Sequence, residues 1–272
     1  MVQDSKRANL RKELVMTRTI VSDEQYGKLQ RRVSDLVRRV DQGTIGYDHT
    51  MERIQAILEG RGYEGDLLHG MFASPDAQLR MAKQRNLERG WGFTDEDFAS
   101  LGPAPSWLTD NRLVVVILDI SLDSIEQTFE EAWDAVKGAH PANWRWPELK
   151  SDKESLRLLS GNHKRGLRWQ VVDLGANKNA RPIDVRNPKT SPSSALLWMA
   201  FYSPKWIQSM NGTDVPYVWI PGYEATISGY GAWTSMPLLF WDADDRKVEL
   251  YADFSGYRNE KWAVPVLRES PK

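Results

Sequence analysis

"RLVVVILDISLDSIEQTFEEAWDAVKGAHP", residues 112–141, changes period halfway along. Its first ten residues are a nearly unbroken β-branched and aliphatic run, the pattern of a strand buried on both faces. After that, Ile125, Phe129, Trp133 and Val136 recur at spacings of three and four, one apolar stripe of a helix. Ser124 and Gln127 have capping-box spacing at its start, and Gly138 and Pro141 stop it. "LRWQVVDLG", residues 167–175, then reads as a second strand. Strand, helix and strand in that order predict a right-handed crossover with the two strands parallel.

Between these strands lies "NWRWPELKSD", residues 143–152. An extended backbone there puts Trp144 and Trp146 on one side and Arg145 on the other. Two indoles on one face can stack on sugar rings or bases, or can cap a core against Trp133 and Trp169. Ser151 with Glu154 repeats the capping-box spacing and predicts a short helix through Leu159. Downstream, "SPSSALLWMAFY" reads as a helix with Pro192 in its first turn. From Val215 onward "VPYVWI", "PLLFW", "KVELYADF" and "KWAVPVLRE" are short strands, and "DADDRK" is a hairpin loop between two of them.

Tryptophan divides the chain: all twelve fall at or after Trp91. The first ninety residues hold 16 basic and 13 acidic side chains, and the remainder holds 20 and 24. Two modules are therefore expected, a helical one over 1–90 and a Trp-rich one over 107–272, joined between Gly60 and Trp107. In the first, Ser22 and Gln25 cap a helix bearing Tyr26, Leu29, Val33, Leu36, Val37 and Val40, and Asp48 caps a second bearing Met51, Ile54, Ile57 and Leu58. That is a helical hairpin over about 22–60, followed by another helix opening at Ser74 and Pro75 and a connector, "LGPAPSW". The fold class expected is α+β, a helical hairpin module followed by an α+β domain with a mixed sheet and a β-rich C-terminal end.

Composition narrows the function. With 36 basic and 37 acidic residues no global field draws the chain to nucleic acid or to an anionic membrane. No run approaches the ~18 apolar residues of a membrane span, and the charged opening "MVQDSKRANLRKEL" lacks a signal's apolar stretch. Cysteine is absent, so there is no disulfide, thiolate zinc site or cysteine nucleophile, and a cytoplasmic setting is expected. "NGT" at 211–213 then has no glycosylation meaning.

"GRGYEG", residues 60–65, matches the dinucleotide fingerprint in letters but follows a helix where the motif needs a strand. Asp242, Asp244 and Asp245 lack calcium-loop spacing, and His49, His69, His140 and His163 lack metal spacing. No catalytic set, metal or cofactor is expected from motifs.

Three readings remain open. The first is a binding or interaction protein: the helical module docks a protein partner, and Trp144, Arg145, Trp146, Asp173, Trp219 and Trp233 are the candidate residues for a small-molecule or sugar ligand. The second is an enzyme using Asp119 and Asp173, which parallel strands would bring to one sheet edge with His163 and Arg168 approaching. The third is a DNA-binding regulator using Arg31, Arg32, Arg38 and Arg39, with Asp35 opposing it from among them.

The run from "NWRWPELKSDKESLRLLSGNHKRGLRWQVVDLGAN" through "PYVWIPGYE" to "KWAVPVLRE", with the N-terminal "RRVDQGTIGYDHTMERIQAILEG", resembles a family of proteins of unassigned function from uncultured bacteria with reduced genomes. That resemblance implies no activity and carries over no functional residue. The closing aromatic strands look faintly like the end of C-type-lectin-like or formylglycine-enzyme-like folds, without their cysteines.

Overall fold

The strand and helix expected over 112–141 are both present in the computed structural model, which describes residues 23–43, 47, 50, 51, 71–105 and 113–268. The chain divides into two units, Met1–Glu64 and Gly65–Lys272. The fold is α+β.

In the first unit α1 spans Asp23–Asp41. Leu36 and Val40 are half-buried, whereas Val33 and Val37 are 51% and 61% exposed. Ser22, the side chain of Gln25 and the second helix from Ile54 to Gly60 lie outside the described residues, as do "GRGYEG", His49 and His69.

The second unit opens with α2 (Pro75–Arg89), so the helix expected in the first module belongs to this one. Ser74 caps it by accepting from the Ala77 N–H, and Gly90, at φ 65°, ends it in the left-handed conformation. After α3 (Asp95–Ser100) come β1 (Val114–Ser121) and α4 (Ile125–Ala139). Ser124 caps α4 as expected, but the Gln127 side chain reaches back to the Asp123 N–H, one residue earlier than a capping box requires.

Then the chain leaves the expected path. β2 (Asn143–Arg145) pairs parallel with β8 (Lys247–Phe254) in a different sheet. The helix expected from Ser151 is replaced by a turn, with the Asp152 carboxylate accepting from the Glu154 N–H, and by β3 (Leu156–Leu158), which pairs with β6 (Tyr223–Ala225). The chain thus reverses before β4 (Gly166–Asp173), which runs antiparallel to β1; the parallel crossover is not formed.

Three short helices follow, α5 (Pro182–Val185), α6 (Ala195–Tyr202) and α7 (Pro204–Gln208). Pro192 precedes α6 rather than lying in its first turn. α6 is apolar nearly all round and packs on α4 and β1, with Trp198 wholly buried. The C-terminal end is β-rich as expected, with β5 (Tyr217–Trp219), β7 (Ser235–Asp242) and β8 where strands were read; β6 was not read, and the stretch read as one last strand is divided into β9 (Trp262–Ala263) and β10 (Val266–Arg268) in different sheets. Asp242 accepts from the N–H groups of Asp244 and Asp245 and so builds the β7–β8 hairpin turn.

Two sheets result. One has the order β1-β4-β10 and is antiparallel; the other is mixed, with the path β2-β8-β7-β5-β9 and β6 joined to β7 and β3. Gln78 of α2 satisfies the open edge of β1: its amide donates to the Val116 carbonyl at 2.8 Å and accepts from the Leu118 N–H at 2.8 Å. The Trp198 indole N–H donates to the Ile120 carbonyl on the same edge.

Candidate functional site

"NWRWPELKSD" answers its question in two parts. Register pairs Trp144 with Glu249 and Arg145 with Leu250, so Trp144 and Trp146 share one sheet face and Arg145 takes the other. Both indoles stack on Tyr251, with ring centroids at 6.2 and 4.5 Å and planes 21° and 18° apart. Trp146 is half-buried against the core, while Trp144 is 37% exposed. Arg145 faces back toward α4: its guanidinium lies 5.0 Å from the Phe129 ring centre, donates to the Leu149 carbonyl and pairs with Glu130 at 2.7 Å.

Aromatic residues continue along that sheet face. Tyr217 lies opposite both Phe240 and Trp262 in register, and the three rings pack at 5.3–5.6 Å. Trp219 belongs to the next row, buried against Leu238 and Val264. Burial and the charges of Asp253 and Glu148 raise the Tyr251 hydroxyl's pKa, so it stays protonated as a donor.

Beside Trp146 the turn at Pro147 opens a groove of about 330 Å³. Its walls are Arg145, Trp146, Leu149, Lys150 and Asp152 from the quoted stretch, with Glu126 and Glu130 from α4. Three carboxylates thus face two cations and one indole. The Asp152 carboxyl sits below its ordinary range, held down first by its bond with Ser155, so it is ionised at neutral pH.

The remaining expected residues are elsewhere. Asp119 and Asp173 do not converge: antiparallel pairing sets Asp119 against Arg168 and Asp173 against Val114, five positions along and on the opposite face. That is a separation of about 17 Å at the rise of a strand. Asp173 instead accepts from Arg268 at 2.5 Å and from the Gly175 N–H, which ties β10 to β4. Trp233 lies in the β6–β7 loop at φ 61°, with Arg157 4.4 Å over its ring, and does not line the groove at Trp146 described above. Arg38 and Arg39 both bond Asp35, whose carboxyl is held low chiefly by Arg38, while Arg31 and Arg32 are exposed.

Asp119, His163 and Arg168 do come together, around a second cleft that sequence reasoning did not outline. The wholly buried Asp119 carboxylate accepts from Arg168 Nε at 2.8 Å, Gln170 Nε2 at 3.0 Å and the Ser194 hydroxyl at 2.7 Å. Arg168 also donates to the Ser121 hydroxyl. His163 Nε2 lies 2.7 Å from the Leu122 carbonyl and donates to it. The missing signal was Ser194, a serine in a run of serines before an apolar helix, which reads as a cap but donates to a carboxylate 75 residues away.

No protein-family model, curated protein or solved structure matches this chain.

Proposed function

We propose that the protein is a non-enzymatic binding protein that recognises a carbohydrate through the groove beside Trp146. The observation carrying this reading is the Trp146 indole, braced by stacking on Tyr251, forming one wall of a 330 Å³ groove whose other side bears Glu126, Glu130 and Asp152. An indole face accepts the C–H face of a sugar ring, and carboxylates accept its hydroxyls. The surplus of carboxylates repels nucleic acid, which separates sugar from base as the stacking partner. Trp144, exposed at the end of the same stack, extends the surface to a second ring. The cytoplasmic setting belongs to the same proposal and rests on the cysteine-free sequence.

Titration of intrinsic tryptophan fluorescence with a panel of neutral oligosaccharides tests it. The expected result is a saturable change in emission for at least one sugar, lost in Trp146→Ala and weakened in Trp144→Ala. If no sugar changes the emission, or if both variants bind as the wild type does, the reading is wrong.

A second reading concerns α1. Val33 and Val37, exposed together on the side of the helix opposite the Asp35, Arg38 and Arg39 cluster, suit the docking of a protein partner on an apolar helix face. Pull-down with α1 carrying Val33→Ser and Val37→Ser tests this: equal recovery of a partner by variant and wild type removes it.

A further inference from the structure

We infer that the cleft between β4 and the loop preceding α6 is a binding site for a phosphate group, independent of the carbohydrate groove. The cleft has a volume of about 120 Å³ and is lined by Arg168, Lys164, His163 and the hydroxyls of Ser121, Ser191 and Ser193, among others. A single water needs only ~10–15 Å³, so the space suits a group of several heavy atoms.

The charge balance decides the ligand class. No carboxylate lines the cleft; the nearest, Asp119, is wholly buried behind Arg168. It holds Arg168 by Nε and so fixes the guanidinium plane. Arg168 Nη1 and Lys164 Nζ form no hydrogen bond among the described residues. Two cations with free donors, several hydroxyls and a histidine therefore face a space that holds no anion of its own. Guanidinium forks and hydroxyl donors suit the oxygens of a tetrahedral oxyanion.

The backbone makes the same space on purpose-fitted geometry. Gly222 passes so close to the loop that a Cβ there would lie 2.7 Å from the Pro192 carbonyl oxygen, and its N–H donates to that carbonyl at 2.8 Å. Pro192 and Ser193 are thereby pinned against β6, and Ser194 is pinned to Asp119. The serine loop is thus anchored at Pro192 and Ser194, and Ser194 shares the Asp119 carboxylate with Arg168. Such preorganisation is what distinguishes a site from a set of exposed cations.

Asp119 acts here as a positioning residue for Arg168. The test is isothermal titration of the full chain with inorganic phosphate at low salt, with acetate and chloride as comparison anions. Saturable phosphate binding is expected, weakened about tenfold in Lys164→Gln, where a donor to a charged group is lost, and weakened further in Arg168→Gln. Lys164 is exposed, so that variant folds whatever becomes of Arg168→Gln. Lys150→Gln, in the other groove, is expected to bind phosphate as the wild type does. Absence of saturable phosphate binding overturns the site, as does equal binding by the wild type and Lys164→Gln. Acetate binding as tightly as phosphate overturns the ligand class. None of these results bears on sugar binding at Trp146.

Discussion

Replacing Gln78 by methionine is expected to be among the most damaging single changes of a polar residue in the second unit. The Gln78 side chain is almost wholly buried and makes three hydrogen bonds, donating to the Ala73 and Val116 carbonyls and accepting from the Leu118 N–H. Methionine has nearly the same length and shape, so the change leaves no cavity and isolates the polar term. An orphaned buried backbone group costs about 1–3 kcal/mol. Leu118 is wholly buried on β1, while Val116 and Ala73 are half-buried. Counting the buried Leu118 N–H at about 2 kcal/mol and the half-buried Val116 carbonyl at about 1 kcal/mol gives a total loss of about 3 kcal/mol. For a unit of this size that lowers the Tm by roughly 6–12 °C. Gln78→Glu sharpens the test. One carboxylate oxygen can still accept from Leu118, but the other then faces two carbonyl oxygens and is relieved only by taking a proton. The folded-state pKa of that glutamate is therefore raised, and its contribution is present below the ordinary carboxylate range and lost as pH rises through the raised value. Urea denaturation followed by tryptophan emission and circular dichroism measures both. A Gln78→Met variant within about 0.5 kcal/mol of wild type, the range of an ordinary surface change, refutes the argument.

Three further outcomes are expected. Burial lowers the His140 pKa below its ordinary 6.5, against the smaller opposing effect of its bond to the Ala200 carbonyl. Below pH 6.5 the unfolded chain then takes up a proton that the folded one resists, so stability falls on acidification; His140→Gln, which keeps a donor for Ala200, loses that slope in urea titrations on either side of pH 6.5. Arg168→Met leaves the Asp119 carboxylate buried with two neutral donors; because Arg168 is half-exposed, the cost is about 2 kcal/mol, below the usual range for breaking a wholly buried pair. Combining it with Asp119→Asn recovers part of that loss, and strictly additive effects in the double-mutant cycle contradict the coupling. Gly222→Ala drives a methyl against the Pro192 carbonyl and is expected to destabilise by about 1–3 kcal/mol, checked by thermal melting.

The residues that spoke from the sequence are those whose pattern and environment agree. β1 and α4 were legible because the period changes at Ser121, and the β7–β8 hairpin because Asp242 opens an aspartate-rich turn. The alternation of Trp144, Arg145 and Trp146 was legible for the same reason. Strand direction was not: whether β4 runs with or against β1 depends on which sheet β2 and β3 join, and three-residue strands carry no mark of their partner. The face that α2 buries was hidden as well. Gln78, Ala82 and Asn86 recur at four-residue spacing and are buried, yet two of the three are amides and read as a solvated face. Asn86 exchanges two hydrogen bonds with the Phe93 backbone, so both amides do the work of main chain. Polar residues that replace backbone partners are invisible to a hydrophobic pattern.

The order in which the chain visits its two sheets has a consequence for dissection. It lays down β1 in the small sheet, β2 and β3 in the large one, β4 in the small one, β5 to β9 in the large one, and β10 in the small one again. The last crossing takes only Val264 and Pro265. Neither sheet is therefore contained in any continuous segment that excludes the other, and every single cut between β1 and β10 breaks the small sheet. Fragments and domain transplants drawn from this region inherit open strand edges in the small sheet at least. The groove at Trp146 and the cleft at Arg168 can be moved to another protein only together, with the whole of both sheets beneath them.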